Sequence, residues 1–223
     1  MQNVLMIDTS LPGCSVGLAY GGQVFSEFLE TERGQAEHLV PLAQGVLTDA
    51  GIGFDALEAV VVTVGPGSFT GIRIGVSAAK SFGLALGVPV FGVSTLQAVA
   101  LSYDAQDDFI VAGETKRQDY YVQAFGRDGA PKSGAQSLLA DGLTELYGGR
   151  ICIGDGAARL QADRQADFTW PDPVVRIDAA RVLTAFADPQ KRDALFTGDL
   201  SPVYLRAPDV SLPKTPPRKI EAL

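Results

Sequence analysis

Val60 to Gly87, VVVTVGPGSFTGIRIGVSAAKSFGLALG, limits the fold more than any other stretch of the chain. Val60 to Val64 is uncharged and β-branched, as suits a strand buried on both faces. Gly65-Pro66-Gly67-Ser68 supplies a turn. Phe69 or Thr70 to Leu86 then reads as a helix, with Ser68 or Thr70 as its N-cap. Gly71, Gly75, Ala79, Gly83 and Gly87 recur every fourth residue and draw a ridge almost without side chains. Each interior glycine costs a helix roughly 1 kcal/mol against alanine, so close backbone approach to another element must compensate. Two readings follow: the ridge packs on its own sheet, or it packs on a helix of another chain.

Three uses of a glycine-rich strand–turn–helix fail here. A phosphate-cradling P-loop needs Lys and Ser/Thr directly after its last glycine, but Lys80 lies over two turns inside the helix. A dinucleotide fingerprint needs a third glycine where Thr70 stands and an acid about 20 residues on, yet Ala85 to Thr95 holds no Asp or Glu. A nucleophile elbow needs glycines flanking Ser68 at the positions of Pro66 and Thr70.

The 223 residues allow one large domain or two small ones. No apolar run reaches the roughly 18 residues of a membrane span, and no basic segment precedes an apolar one at the N-terminus. A cytoplasmic protein without membrane contact is expected, with Cys14 and Cys152 reduced. His38 is the single histidine, so no histidine-rich metal site is expected. A net charge of −8 argues against gripping a polyanion unaided. Lys116, Arg117, Lys214, Arg218 and Lys219 are read as solvated charge.

In order, Val4 to Ile7, Ser15 to Tyr20 and Gln23 to Leu29 read as strands, the last two joined by a Gly21-Gly22 hairpin turn. Gln35 to Ala50 has a helical apolar period. After the Val60 strand and the glycine helix come a strand at Val88 to Val93 and a helix capped by Ser94 and running to about Tyr103. This β-β-β-α-β-α-β-α order is that of the ribonuclease H-like core found in each half of the actin and sugar-kinase family. A two-lobed α/β fold of actin-like type is therefore expected, with residues 1–103 as the first lobe and 104–207 as a reduced second lobe. In the latter, Phe109 to Gly113 and Tyr120 to Phe125 read as a hairpin, Leu138 to Tyr147 and Asp178 to Ala187 as helices, and Ile151 to Gly154 as a strand. Gly154-Asp155-Gly156 turns into a further helix, and Glu114 to Asp119 is a charged hairpin. Residues 208–223 form a loose Pro- and Lys-rich tail.

Against this background MIDTS at 6–10, CSVGL at 14–18, GPGSFTGIRIG at 65–75, GVSTLQAVA at 92–100 and PVYLRAP at 202–208 resemble the TsaB family, also called YeaZ. The resemblance implies a non-catalytic partner and activator of a TsaD-type enzyme. That enzyme, with a TsaE-type ATPase, forms N6-threonylcarbamoyladenosine next to the anticodon of tRNAs reading A-starting codons. It implies no metal or cofactor on this chain, ATP and metal on the partner subunits, tRNA contact through the complex, and a homodimer in isolation. It also places the interface on Gln35–Ala50 and Thr70–Leu86, giving His38, Leu39, Leu42, Val46, Gly71, Ile72, Gly75, Ala79 and Gly83 as interface residues. Arg73 then pairs either with an acid of the partner or with Asp8 or Asp49.

The residues favour the non-catalytic reading independently. An actin-like ATPase needs an acid and a glycine-rich hairpin against the phosphates in each lobe. Asp8-Thr9-Ser10 has the acid but no glycine turn after it, and so reads as a vestigial nucleotide loop. Glu114 to Asp119 has no glycine pair, and where the resemblance to TsaD-type proteins implies a pair of histidine ligands on one helix, His38 has Leu42 at i+4. The alternative is a small ATPase or metabolite kinase of the same fold, resting on Asp8 and the Gly154–Gly156 turn. Peptide hydrolysis fails on the single histidine and the missing elbow.

Overall fold

Val4–Asp8 (β1) and Ala59–Thr63 (β4) are buried along their whole length, because the sheet they centre is covered on both faces. The computed structural model describes residues 2–31, 33–165, 167–171 and 176–206; the expected tail at 208–223, with Lys214, Arg218 and Lys219, lies outside the described residues. Cys14–Tyr20 (β2) and Gln23–Leu29 (β3) pair antiparallel beside β1, while β4 and Val90–Val93 (β5) run parallel to it, giving the order β3-β2-β1-β4-β5. Gly21 and Gly22, at φ 60° and 78°, make the tight β2–β3 turn.

Period-two alternation divides the core. Leu5, Ile7, Val60 and Val62 pack against Gln35–Asp49 (α1) and Phe69–Leu86 (α2). Val4, Met6, Ala59 and Val61 face the opposite layer. Each of these valine, leucine, isoleucine and methionine side chains contributes about 1.5–3 kcal/mol on burial. Ser68 caps α2 by accepting from the Gly71 amide at 3.2 Å, and Ser94 caps Thr95–Leu101 (α3) by accepting from the Gln97 amide at 3.1 Å.

The second sheet repeats the first with one strand fewer. Phe109–Glu114 (β6), Asp119–Phe125 (β7) and Gln136–Leu139 (β8) are antiparallel neighbours, and Ile151–Ile153 (β9) runs parallel to β6, in the order β8-β7-β6-β9. Ala140–Tyr147 (α4) and Ala157–Arg164 (α5) pack on it. The duplicated order, with the fifth strand missing, is the two-lobed actin-like plan with a reduced second half.

Three expectations need correction. The helix read from Leu138 begins at Ala140, and residues 136–139 pair as β8, because QSLL is too short to show alternation. Pro189–Leu195 (α7) escaped notice for want of an apolar period, although Asp188 caps it by accepting from the Gln190 and Lys191 amides and Pro189 starts it. Finally, residues 104–207 are not one lobe. Ala179–Ala187 (α6) packs on β1–β3, Thr197 bridges to Gly92, and the Val203 amide donates to Val64 O at 2.7 Å. After α5 the chain first stays on the second sheet, where Thr169 bridges to Ile151 and Phe168 joins its core, and it packs on the first sheet from α6 onward. Gly17 of β2 is what lets α6 lie close there, since a Cβ on it would overlap the Ala179 methyl at 2.5 Å.

Candidate functional site

The glycine ridge of α2 faces inward. Gly71 lies against the carbonyl of Thr9, Gly83 against Val90 of β5, and a Cβ on Gly75 would sit 2.6 Å from Thr9 Oγ1. Of the two readings, packing on the chain's own sheet is the one the structure shows. Leu39, Val46, Gly71, Ile72, Gly75, Ala79 and Gly83 are buried, Leu42 is half-buried, and His38 alone of the expected interface set is exposed. The set is corrected accordingly, for a physical reason: a glycine face brings backbone to backbone, and the sheet takes that approach first.

The outward faces of α1 and α2 enclose a groove of about 540 Å³. Leu39 forms its floor, Val40, Ile74 and Ala78 its apolar sides, and Phe69 and Arg73 one end. Val40 is 48% and Phe69 51% exposed, and the two line the same groove. The Arg73 guanidinium lies 3.8 Å over the Phe69 ring, and its Nε donates to Tyr204 Oη at 3.2 Å, so Arg73 engages neither Asp8 nor Asp49. Val40, Phe69, Ile74 and Ala78 were missed from sequence. On α2 the available signal was the flank of the ridge, where Ile74 and Ala78 each precede a ridge residue, whereas Val40 lies on α1, outside that pattern.

The loop after β1 is filled by its own neighbours. Asp8 Oδ1 accepts from the Ser10 amide at 2.9 Å, Ser10 Oγ at 2.5 Å and Thr63 Oγ1 at 2.6 Å. Thr9 Oγ1 donates to Gly71 O at 2.7 Å, Thr95 Oγ1 to Ser10 Oγ at 2.9 Å, and the Ser68 amide to Ser10 O at 2.8 Å. Asp8, Thr9 and Ser10 are all buried. A phosphate loop offers free amide protons; this one stitches β1, β4, α2 and α3 together. Burial raises the Asp8 carboxyl above its ordinary 3.8, outweighing the hydrogen bonds from Ser10, Thr63 and Leu11 that favour the carboxylate. An acid with a higher pKa folded than unfolded binds its proton more tightly in the folded state. Its stabilising contribution is therefore complete below 3.8 and is lost as pH rises toward the folded value. Asp8→Asn keeps an acceptor and removes this slope. Urea midpoints from pH 3.5 to 7 are expected to show the Asn variant gaining on the wild type as pH rises, and parallel curves would contradict the assignment.

The second lobe repeats the arrangement. Glu114, the counterpart of Asp8 at the end of β6, pairs with Arg159 at 2.8 Å. That guanidinium lies 3.8 Å over the Tyr120 ring and also donates to Arg117 O at 2.6 Å and Asp119 O at 2.8 Å. Gly154-Asp155-Gly156 follows β9 as Gly65-Pro66-Gly67 follows β4. Asp155 does not cap α5; its Oδ1 accepts from the Glu114 amide at 3.0 Å. Burial pushes its carboxyl up, with the charges of Glu114 and Asp8 adding to the shift. Between the lobes lies a cleft of about 790 Å³, with apolar walls at Leu96, Val99 and Val111 and a rim carrying Arg73, Lys116 and Arg206. Among the described residues no group of three or more His, Cys, Asp or Glu side chains is placed to hold a metal ion. Among the same residues, no helix is long and apolar enough to cross a membrane.

Two ribonuclease H-like sheets, a first-lobe loop closed by its own side chains and an open groove between the two helices of that lobe define a chain of the actin-like fold. A family described as "TsaD: tRNA N6-adenosine threonylcarbamoyltransferase" matches residues 25–130. An uncharacterized protein of Mycobacterium tuberculosis is 36% identical over 126 residues, 55% of this chain and 59% of that protein. The tRNA threonylcarbamoyladenosine biosynthesis protein TsaB of Buchnera aphidicola subsp. Schizaphis graminum is 37% identical over 176 residues, 74% of this chain and 84% of that one. YeaZ from Pseudomonas aeruginosa has the same fold, with a TM-score of 0.79 at 24% identity over 92% of this chain and all of that chain. The chain belongs to the TsaB family. Its match spans about three fifths of the length of the mycobacterial relative.

Proposed function

We propose that the chain is a non-catalytic partner of a TsaD-type enzyme in forming N6-threonylcarbamoyladenosine next to the anticodon of tRNAs reading A-starting codons. The name of the Buchnera relative supports the pathway. The observation that carries the role is the α1–α2 groove, with half-exposed Val40 and Phe69 over an apolar floor. Such a groove accepts a helix or helix pair of a partner, and with Arg73 at its end it favours one carrying an acid there. The closed Asp8 loop supports the non-catalytic part, since its acceptor and donor groups are already engaged within the lobe. In this reading ATP and metal are bound by the partner subunits, a TsaE-type ATPase joins the complex, and tRNA is held mainly outside this acidic chain in the cytoplasm. Without the partner, two copies of the chain cover each other's grooves.

Reconstitution tests the proposal. TsaD-type and TsaE-type partners, threonylcarbamoyl donor, ATP and unmodified tRNA are combined with and without this chain, and modified adenosine is quantified by mass. Modification is expected to require the chain, while the chain alone turns over no ATP. Equal modification in its absence, or Mg²⁺-dependent ATP turnover by the isolated chain, would overturn the role.

A further inference from the structure

Residues 197–206 touch both lobes and the groove. At one end Thr197 exchanges two backbone hydrogen bonds with Gly92, at 2.7 and 2.9 Å, on the open edge of β5. Leu200 and Val203 then pack on the first-lobe core, and the Val203 amide donates to Val64 O. Two glycines leave the path clear. A Cβ on Gly92 would lie 3.1 Å from Asp199 O, and one on Gly65 would lie 2.9 Å from Val203 O. Next, the Tyr204 ring packs 5.4 Å from the Phe69 ring, tilted by 31°, while its Oη accepts from Arg73. Finally, Arg206 reaches the second lobe, with Nη1 3.1 Å from Asp119 Oδ1. Asp119 is itself held by hydroxyl donors from Thr115 and Ser137 and starts β7 directly after the 114–118 hairpin.

Phe69 and Arg73 line both the groove and the interlobe cleft. Both are exposed and so have freedom to lose on binding. What fixes their pose is each other and Tyr204. We propose that residues 197–206 act as a strap that sets the pose of Phe69 and Arg73 at the docking groove and ties that pose to the second-lobe hairpin through Arg206. Tyr204 and Arg206 are then positioning residues. A movement of the hairpin that breaks the Arg206–Asp119 pair loosens the end of the groove, and a partner that holds Phe69 and Arg73 tightens the hairpin by the same coupling. The docking half of this inference rests on the proposed function; the mechanical half does not.

The mechanical half is read on the isolated chain by amide hydrogen exchange. Arg206→Ala is expected to speed exchange about threefold or more at Val203 and Ile72 as well as in 114–119, with Arg206→Lys restoring most of the protection. Faster exchange confined to 114–119 would overturn the strap. The docking half is read as affinity for the TsaD-type partner. Tyr204→Ala is expected to weaken it about tenfold. Tyr204→Phe, which keeps the ring contact, and Arg206→Ala, which acts from the far end, are each expected to weaken it about threefold. Unchanged affinity in all three would overturn the positioning role. A wild-type chain that does not bind the partner at all would instead remove the docking reading, with the exchange result still deciding the strap.

Discussion

Gly71→Val is expected to destabilise the chain by about 3 kcal/mol or more, read as a fall in the urea midpoint, and to leave little folded protein at 37 °C. The first turn of α2 lies directly on the backbone of residue 9, so a Cβ at Gly71 would fall inside the contact distance of the Thr9 carbonyl. Neither partner is a flexible side chain. Thr9 is fixed by its own hydroxyl bond to Gly71 O, and Gly71 is fixed by the cap from Ser68. Relief requires α2 to lift from β1 and β4, which uncovers Ile7, Val62 and Ile72 together. Gly142 in α4 is the contrasting control. Nothing lies within 4 Å of a Cβ there and its φ is not positive, so Gly142→Ala is expected to stabilise by about 0.5–1 kcal/mol. Equal tolerance at the two sites would contradict the inward-facing ridge.

Val40→Asp is expected to weaken binding to a TsaD-type partner about 100-fold while leaving the urea midpoint within about 0.5 kcal/mol of the wild type. Val40 is 48% exposed, so a carboxylate there stays hydrated in the free chain. Seated against an apolar helix it would be buried without a counter-charge, a cost of several kcal/mol. Phe69→Ala removes the aromatic end of the groove and is expected to cost about 2 kcal/mol of binding, or roughly 30-fold. Titration calorimetry of the two variants checks both. The contrast with Gly71→Val is diagnostic, because one substitution loses binding through the fold and the other through the surface.

Much of this architecture is readable in the residues. Apolar and alternating runs flanked by turn residues mark the five strands of the first sheet and most of the second, and the Ser68 and Ser94 caps fall where the helices start. The order of these elements was enough for the two-lobed class. The facing of α2 was not. Glycine every fourth residue signals close approach without saying to what, and only the placement of Thr9, Val62 and Val90 decides it. The groove residues were hidden as well: Phe69, Ile74 and Ala78 look like core residues until the ridge has taken the inner face of α2, and Val40 falls off the apolar stripe of α1. The strap escaped because residues 197–206 have no periodicity. Its partners, Gly92, Phe69 and Asp119, lie far away in the chain. Asp8 was correctly placed at the end of β1, but its role as a buried acceptor depends on Thr63, 55 positions away.

In the proposed function the chain acts through its groove and not through chemistry at Asp8. The most direct measurement is modified adenosine formed in the reconstituted reaction with wild-type chain, Asp8→Asn and Val40→Asp, each first shown to be folded. Near wild-type modification is expected with Asp8→Asn and almost none with Val40→Asp. Loss of modification with a folded Asp8→Asn that still binds the partner, together with full modification by Val40→Asp, would contradict it.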